Sequence, residues 1–316
     1  MAEKQLTFKE NEIIQILNKV YRNFKEGQFR DAGALLEKAL EIDFDSTDVT
    51  NALKCNNFWL EREDRLAAIS GAYEKGEYYI NQWKVFNGFI CRMKNLSERC
   101  LFNIKFYIFG RALEHYLTLY NEAELNDPEI LFRIGRCHKC QGNYENAIRF
   151  LELATQHKRE DAAILAELAD CYSLVNEERA AKVFFREAFF LNAQAVELPF
   201  LESSMILRLL EKLKNRCGDA GEELQEWIPV YGTIFGLFNV KRELRPLELG
   251  KLKQAIYQLE KEIGGQRESR LAARLINHYF WLVDHYLNSG EDRQKIEEVL
   301  AKIRDLDPEV YSEYVN

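Results

Sequence analysis

Two stretches of the chain repeat one apolar pattern and decide the fold: residues 128–154, PEILFRIGRCHKCQGNYENAIRFLELA, and residues 162–188, AAILAELADCYSLVNEERAAKVFFREA. Small residues recur where two helices must cross closely, and large apolar residues recur where the space between helices must be filled. The matched pairs are Leu131/Leu165, Ile134/Leu168, Gly135/Ala169, His138/Tyr172, Gly142/Asn176, Ala147/Ala181, Leu151/Phe185 and Ala154/Ala188. Eight matches in one register exceed chance, so the chain contains an internal repeat of 34 residues.

Apolar residues are spaced by three and four positions along nearly the whole chain, which predicts amphipathic helices. Gly27 separates two such helices, and two helices joined by a glycine-containing turn form an antiparallel hairpin. Similar glycines at Gly76, Gly142 and Gly290 predict further hairpin turns. No segment alternates with a period of two over a length that would predict a sheet.

The 34-residue unit resembles the tetratricopeptide repeat family, whose repeat is a helix–turn–helix with small residues at the helix crossing. His138 stands where the family usually has Tyr. Asp127 and Pro128 precede the first unit as a repeat boundary, with an N-capping Asp and a Pro at the first helical position. The structural motif residues are Leu131, Gly135, His138, Ala147, Leu151 and Ala154 in the first unit, and Leu165, Ala169, Tyr172, Ala181, Phe185 and Ala188 in the second.

Two partial copies flank this central pair. Over residues 13–44, five positions match the first unit at an offset of 115 residues: Gly27, Phe29, Ala32, Leu36 and Ala39. Over residues 276–308 the first helix is offset by 148 residues and the second by 149, which predicts one extra residue in the turn at Glu291. The resemblance is therefore clearest over 128–193 and partial over 13–44 and 276–308.

These patterns predict an all-α fold: a right-handed α-solenoid, or superhelix, of stacked antiparallel helix hairpins with irregular insertions. We assign residues 1–245 to a repeat array with irregular central helices, and residues 246–316 to C-terminal helical hairpins continuous with that array. The boundary rests on Arg245, because a residue that precedes a proline disfavours helical geometry. Two interruptions are predicted. Residues 97–124 form one helix that starts from a capping Ser97 and is longer than a repeat helix, and residues 195–265 contain helical segments around the apolar stretch 228–238.

The composition excludes several classes of protein. Of 316 residues, 47% are apolar and 30% are charged, which supports a large core and argues against disorder. The formal charge of −8 lacks the basic footprint of a nucleic-acid binder. Residues 1–12 contain no apolar run typical of a secretory leader, and the most apolar stretch, 227–240, is shorter than the about 20 residues of a membrane-spanning helix. Seven cysteines, an odd number, suit reduced thiols in the cytoplasm better than a disulfide framework.

No set of residues has the spacing of a catalytic or metal site. Cys137 and Cys140 enclose His138, but a structural zinc site needs four ligands, and all three residues lie in one predicted helix. His278 and His285 share a helix face without a third convergent group. Gly-rich phosphate loops, nucleophile elbows and His-Glu-x-x-His motifs are absent from the sequence. We therefore expect a protein that is not an enzyme and takes no metal or cofactor.

The apolar segment 228–238 leaves two interpretations open. Gly232 and Gly236 have the spacing of small residues in paired helices, which in so short a segment favours a buried helix packed closely against a neighbour. Alternatively, the segment contacts a partner or a membrane surface. In that case the chain is a helical regulatory subunit or a membrane-peripheral assembly factor.

The resemblance also implies a mode of action. In tetratricopeptide repeats the first helix of each unit lines a groove that accepts an extended peptide or a helix of another protein. We expect the face opposite the helix crossing to line this groove, and a Phe beside Arg and Lys suits an acidic, partly apolar peptide. The expected groove residues are Glu129, Phe132, Arg136, Lys139, Asp170 and Ser173. The sequence thus predicts a non-catalytic scaffold or adaptor for a protein partner, and it specifies neither that partner nor an oligomeric state.

Overall fold

The computed structural model describes residues 2–122, 127–218, 221–264 and 268–316. In these ranges the chain is all-α, with fifteen α-helices, two short 3-10 turns and no strand, which confirms the fold class predicted from the helical periodicity. Successive helices joined by short turns pack against each other as hairpins. The contacts divide the chain into two compact units, residues 1–157 and 158–316.

This division differs from the boundary predicted between residues 245 and 246. Arg245 is extended (φ −67°, ψ 156°) and Pro246 opens a helix, as expected for a residue that precedes a proline. However, residues on both sides of the proline share one hydrophobic core, with Ile228 before it and Ile256 and Ile276 after it. Arg245 and Pro246 therefore mark the start of a helix and not the edge of a domain.

The first unit contains seven helices in its described residues. Their bounds are α1 Ala2–Glu26, α2 Phe29–Ile42, α3 Thr47–Ala67, α4 Ala72–Ile90, α5 Glu98–Glu122, α6 Pro128–Cys140 and α7 Tyr144–His157. The pairs α1–α2, α4–α5 and α6–α7 each pack closely. The long helix α5 also contacts α1 and α6, so it joins the N-terminal hairpin to the central repeat.

The second unit contains eight helices in its described residues. Their bounds are α8 Ala162–Leu174, α9 Glu178–Asn192, α10 Ser204–Cys217, α11 Glu222–Ile234, α12 Pro246–Ile263, α13 Ser269–Ser289, α14 Arg293–Leu306 and α15 Pro308–Val315. The two 3-10 turns, Ala193–Ala195 and Leu198–Phe200, connect α9 to α10. Helix α13 packs against α11, α12 and α14 and lies mostly buried, which places it at the centre of this unit.

Four hairpins share one turn geometry. In each turn one residue has a left-handed conformation, and the N–H of the next residue donates to a carbonyl five positions earlier, which closes the helix C-terminus. The left-handed residues are Gly27 (φ 76°), Gly142 (φ 79°), Asn176 (φ 64°) and Gly290 (φ 69°). The closing bonds are Gln28 to Asn23 at 2.8 Å, Asn143 to His138 at 2.9 Å, Glu177 to Tyr172 at 2.8 Å and Glu291 to Tyr286 at 3.0 Å. Asn is one of the few non-glycine residues that tolerate this conformation, which explains why it replaces glycine once.

Helix starts follow the repeat boundaries. The Asp127 carboxylate accepts the N–H of Glu129 at 2.8 Å, as the sequence predicts for an N-cap. Asp161 caps α8 in the same way. In the C-terminal hairpin, α14 starts at Arg293, three residues after the left-handed Gly290, whereas α7 starts at Tyr144, two residues after Gly142. This is the extra residue expected near Glu291.

Small residues lie where two helices come closest. A Cβ atom on Gly135 would lie 2.6 Å from Cγ of Leu151 and 3.3 Å from the carbonyl oxygen of Ala147, so α6 and α7 cross with no room for a larger residue. The equivalent Ala169 and Ala181 in α8 and α9 are also buried. The crossing thus has the same close contact in both hairpins.

The remaining motif positions fill the space beside these crossings. The ring of His138 stacks on Phe150 with centroids 5.6 Å apart, and Tyr172 stacks on Phe184 at 5.5 Å, so one ring pair recurs 34 residues later. Burial lowers the pKa of His138, which favours the neutral ring at pH 7. The buried apolar members are Leu131, Leu151, Ala154, Leu165, Phe185 and Ala188.

The turn predicted at Gly76 is wrong. Gly76 lies inside α4, and a Cβ atom there would lie 2.5 Å from the ring of Tyr116 in α5. This glycine therefore permits a close approach of two helices instead of ending one. A helical glycine and a turn glycine cannot be distinguished by their spacing from apolar residues.

Candidate partner-binding cleft

The six residues predicted to line a partner groove do not form an exposed surface. Phe132 is 3% exposed, Arg136 and Lys139 are 1% exposed, and Asp170 is completely buried. Only Glu129 and Ser173 remain partly exposed. The apolar pattern identified the face opposite the α6–α7 crossing, but it did not reveal that α6 also packs against α5.

Side chains of α6 are engaged with one another and with α4. The guanidinium carbon of Arg136 lies 4.5 Å from the ring centroid of Phe132, a cation–π contact. Glu129 pairs with Arg133 at 2.8 Å, and Arg133 also pairs with Glu77 of α4 at 2.6 Å. These contacts hold α6 in place, which is a structural role and not the exposed binding role that we predicted.

Asp170 holds the start of another helix. Its carboxylate accepts the backbone N–H groups of Glu202 and Ser203, both at 2.9 Å. Ser203 is the N-cap residue of α10, so Asp170 fixes the entry of α10 beside α8. Asp170 therefore shapes the wall of a neighbouring cleft without being exposed in it.

An open cleft of about 340 Å³ lies beside this contact, and we call it the α8–α10 cleft. It is formed by the end of α8, the start of α9, the first three turns of α10 and the chain that follows α11. Ser173 is the one predicted groove residue that lines it. The lining residues are Ser173, Asn176, Glu178, Lys182, Ser204, Met205, Arg208, Leu209, Lys212, Phe235 and Leu237.

Local backbone geometry brings these segments together. Arg208 and Lys212 are four residues apart on α10 and therefore share one helix face. Gly236 (φ 73°) turns the chain after α11, where the N–H groups of Leu237 and Phe238 donate to the Gly232 carbonyl at 2.8 and 2.9 Å. This turn buries Phe238 and leaves Phe235, which is 37% exposed, at the cleft.

The cleft combines positive charge with an apolar floor. Lys182, Arg208 and Lys212 line it, against one carboxylate, that of Glu178. In the described part of the chain no carboxylate forms an ion pair with these three cations. The Lys212 ammonium lies 4.9 Å from the ring centroid of Phe235. The cleft can therefore bind an anionic group and an apolar group side by side.

Sequence reasoning missed most of this cleft. Met205, Leu209 and Phe235 have apolar character, but they come from segments that only tertiary packing brings beside α9. The sequence did contain one indication of a site. Arg208 and Lys212 are at helical spacing beside the apolar face of α10. That signal did not identify which other helix would complete the site.

The apolar segment 228–238 is mostly inside the second unit. Ile228, Val230, Tyr231 and Phe238 are each 4% exposed or less. The ring of Phe238 packs against Gly232, because a Cβ atom on this glycine would lie 2.3 Å from that ring. The first interpretation, a short buried helix, thus describes most of the segment. Among the described residues, no helix combines the length and apolar character needed to cross a membrane.

A buried charge cluster ties the chain after α11 to two helices. The Asp284 carboxylate pairs with Arg186 and, at 2.8 Å, with Lys241. Arg186 also donates to the Val240 carbonyl at 2.6 Å and lies over the ring of Trp281, 4.4 Å from its centroid. This network positions residues 240–241 against α9 and α13.

The two C-terminal histidines are packing residues in this structure. Nδ1 of His285 accepts the N–H of Leu244 at 3.2 Å. Nδ1 of His278 lies 2.7 Å from the Arg274 carbonyl, and its ring contacts Phe190. Burial lowers the pKa of His278. Their environments differ, and no third group converges on them to form a metal site in the described residues.

The cysteines of the Cys-x-x-Cys pair are also in a helix interior. Cys137 and Cys140 are buried in α6, and Cys171 is buried in α8 at the position equivalent to Cys137. Six cysteines in the described residues remain thiols. Within those residues no group of three His, Cys, Asp or Glu side chains is arranged to hold a metal ion.

The helices and turns described above define the class of protein. It is an all-helical chain in which one kind of helix hairpin recurs. The family model of the tetratricopeptide repeat matches residues 128–161, a range that contains α6, its left-handed turn and α7. Residues 128–161 are therefore a tetratricopeptide repeat, as the 34-residue offset predicted. No curated protein shows significant similarity to the chain.

Proposed function

We propose that the chain is a non-catalytic scaffold or adaptor that binds an acidic, partly apolar peptide of another protein in the α8–α10 cleft. Tetratricopeptide repeats generally mediate protein–protein interactions. The observation that carries the proposal is the cleft itself, in which three cations surround an apolar floor. Peptide carboxylates would pair with Arg208 and Lys182, and an apolar side chain would contact Phe235.

The thiols and the net charge also fit this proposal, the first through the location of the protein and the second through the kind of partner. Five of the six described thiols are buried, and a hydrogen bond to Cys55 together with burial raises the pKa of the Cys100 thiol. Cysteines that remain free thiols are typical of a reducing compartment, so we propose a cytoplasmic location. The net charge of −8 supports a protein partner in preference to a nucleic acid.

Fluorescence anisotropy with a defined pair of peptides tests the proposal. The first labelled peptide contains Glu and Asp around one Leu and one Phe, and the second has Lys in place of every acid. We expect the full chain to bind the first peptide, more weakly as salt increases, and not the second. Arg208→Glu should weaken binding of the acidic peptide at least about tenfold, because it replaces an attractive charge by a repulsive one.

Lys214→Glu is the matched control. Lys214 lies on the same helix and is exposed, but it does not line the cleft. The control therefore makes the same charge change and should leave affinity within about twofold, the range left by screened surface charge. Equal loss of affinity in both variants would contradict the cleft assignment, because it would reflect net charge alone. Failure of wild-type protein to prefer the acidic peptide would contradict it as well.

A further inference from the structure

A second cavity, of about 210 Å³, lies among α2, α3, α4 and α5 of the first unit, and we call it the aromatic cavity. Two arginines, Arg62 and Arg111, are among its lining residues, and no carboxylate is. Its aromatic lining residues are Phe29, Trp59, Tyr78, Tyr79 and Tyr107.

The walls of this cavity are held by aromatic contacts. Trp59 stacks on Trp83 with an interplanar angle of 20°, and Tyr107 meets Phe29 edge-on with centroids 5.6 Å apart. Trp59 is only 3% exposed. Packed walls of this kind keep a cavity preformed, so a ligand would not need to order them.

Trp59, which lines the cavity, has a buried donor without an acceptor. The indole Nε1–H of Trp59 is buried and forms no hydrogen bond within the described residues. A buried donor without a partner is costly, and native structures contain few of them. The N–H has almost no accessible surface, so this donor does not itself line the cavity.

Arg62, one of the two arginines that line the cavity, has little negative charge near it. Arg62 donates to Gln82 at 2.8 Å and to the Phe58 carbonyl at 2.6 Å, both neutral groups. Its ion pair with Glu61 is long, 3.9 Å, and that carboxylate is 77% exposed. Burial lowers the pKa of Arg62, so an anion near this guanidinium would be stabilised.

The second arginine is already paired. Arg111 contacts Glu114 and forms a side-chain hydrogen bond with Tyr79. Burial raises the pKa of Tyr79 to about 12, so its hydroxyl stays protonated at neutral pH. The cavity therefore has one under-neutralised cation and several ring faces.

We propose that the aromatic cavity binds a small planar aromatic or heteroaromatic carboxylate. The carboxylate would pair with the Arg62 guanidinium, and the ring would lie against the aromatic walls. Arginine matches a carboxylate in charge and geometry, and aromatic faces contribute contact area at the same time. This site lies in the first unit and does not depend on the peptide-binding proposal for the second.

Titration of the full chain with three acids and their amides tests this site. Benzoate, nicotinate and indole-3-carboxylate are compared with benzamide, nicotinamide and indole-3-carboxamide by calorimetry and by NMR of the tryptophan indole N–H signals. The Trp59 signal is assigned with a Trp59→Phe variant. We expect at least one acid to bind with one-to-one stoichiometry, to shift the Trp59 signal, and to exceed its amide in affinity at least about tenfold.

Two arginine variants complete the test. Arg62→Met should abolish the preference for the acid, while Arg22→Met, which removes an exposed arginine of α1, should leave it intact. The wild-type comparison of acid with amide needs no variant, so it stands even if Arg62→Met does not fold. The proposal is overturned if no acid shifts the Trp59 signal at millimolar concentration, or if each amide binds as tightly as its acid.

Discussion

Single positions without room for a side chain set the distance between helices. The Cβ position of Gly135 is occupied by Leu151, and that of Gly76 by Tyr116. Gly88, by contrast, lies on the exposed side of α4 with no atom within 4 Å of its Cβ position. The same substitution should therefore have opposite effects at buried and exposed glycines of this chain.

We expect Gly135→Ala to lower the free energy of unfolding by about 1–3 kcal/mol, because the added methyl group overlaps Leu151. Gly88→Ala should raise it by about 0.5–1 kcal/mol, because alanine loses less backbone entropy in a helix. Urea denaturation of both variants measures the two effects. Equal stability of Gly135→Ala and wild type would show that α6 and α7 do not cross at this residue.

Some single residues could be predicted from the sequence and others could not. The offset of 34 residues identified Gly135 and Ala147 as small members of a repeat, because close helix crossings demand small residues whatever surrounds them. It could not identify Arg136 as buried, because a charged residue on the outer face of a predicted helix is usually solvated. Burial of such a residue depends on a helix that lies elsewhere in the sequence.

At the scale of elements, one ionic contact joins three helices of the first unit. Glu77 of α4 accepts hydrogen bonds from Tyr116 of α5 and Arg133 of α6, each at 2.6 Å. Burial alone would raise the pKa of Glu77, but the hydrogen bonds from Arg133 and Tyr116 outweigh burial and lower it. The carboxylate form is thus favoured by folding.

This lowered pKa predicts a pH dependence of stability. The contribution is complete above the unfolded pKa of Glu, about 4.3, and is lost as the pH falls through the lower folded pKa. Glu77→Gln should reduce the free energy of unfolding at pH 7 by about 1–3 kcal/mol, because a charge-assisted contact to Arg133 is lost. The substitution should also remove the part of the loss of stability below about pH 4.3 that comes from protonation of Glu77.

Urea denaturation at a series of pH values measures this effect. Glu61→Gln is the control, because its carboxylate is 77% exposed and its contact with Arg62 is long. We expect the control to change stability by less than about 0.5 kcal/mol at any pH. Parallel pH curves for Glu77→Gln and wild type would exclude the proposed role of Glu77.

Elements differ in how far the sequence predicts them. Helix ends at Asp127 and Gly142 were predictable, because capping and left-handed turns are local and depend on residue type. The α8–α10 cleft was not, since its lining comes from the segments 173–182, 204–212 and 235–237. Only Ser173 was identified, and it was identified by its repeat position rather than by the cleft.

At the scale of the whole molecule, the chain comprises two compact units with different candidate sites. The first unit contains the aromatic cavity and the central repeat helices α6 and α7, and the second contains the α8–α10 cleft. The sequence predicted a division at residue 245 because Pro246 interrupts a helical pattern. A proline reports local backbone geometry, whereas the edge of a unit depends on which helices share a core.

Amide NMR with a bound acidic peptide shows directly whether the α8–α10 cleft is the binding site. The labelled full chain is titrated with the unlabelled acidic peptide described above. We predict chemical-shift changes confined to the α8–α10 cleft, at residues 173–182, 204–212 and 235–237, and their loss in Arg208→Glu. Binding that leaves these residues unchanged and shifts signals of the first unit instead would contradict peptide binding in the α8–α10 cleft.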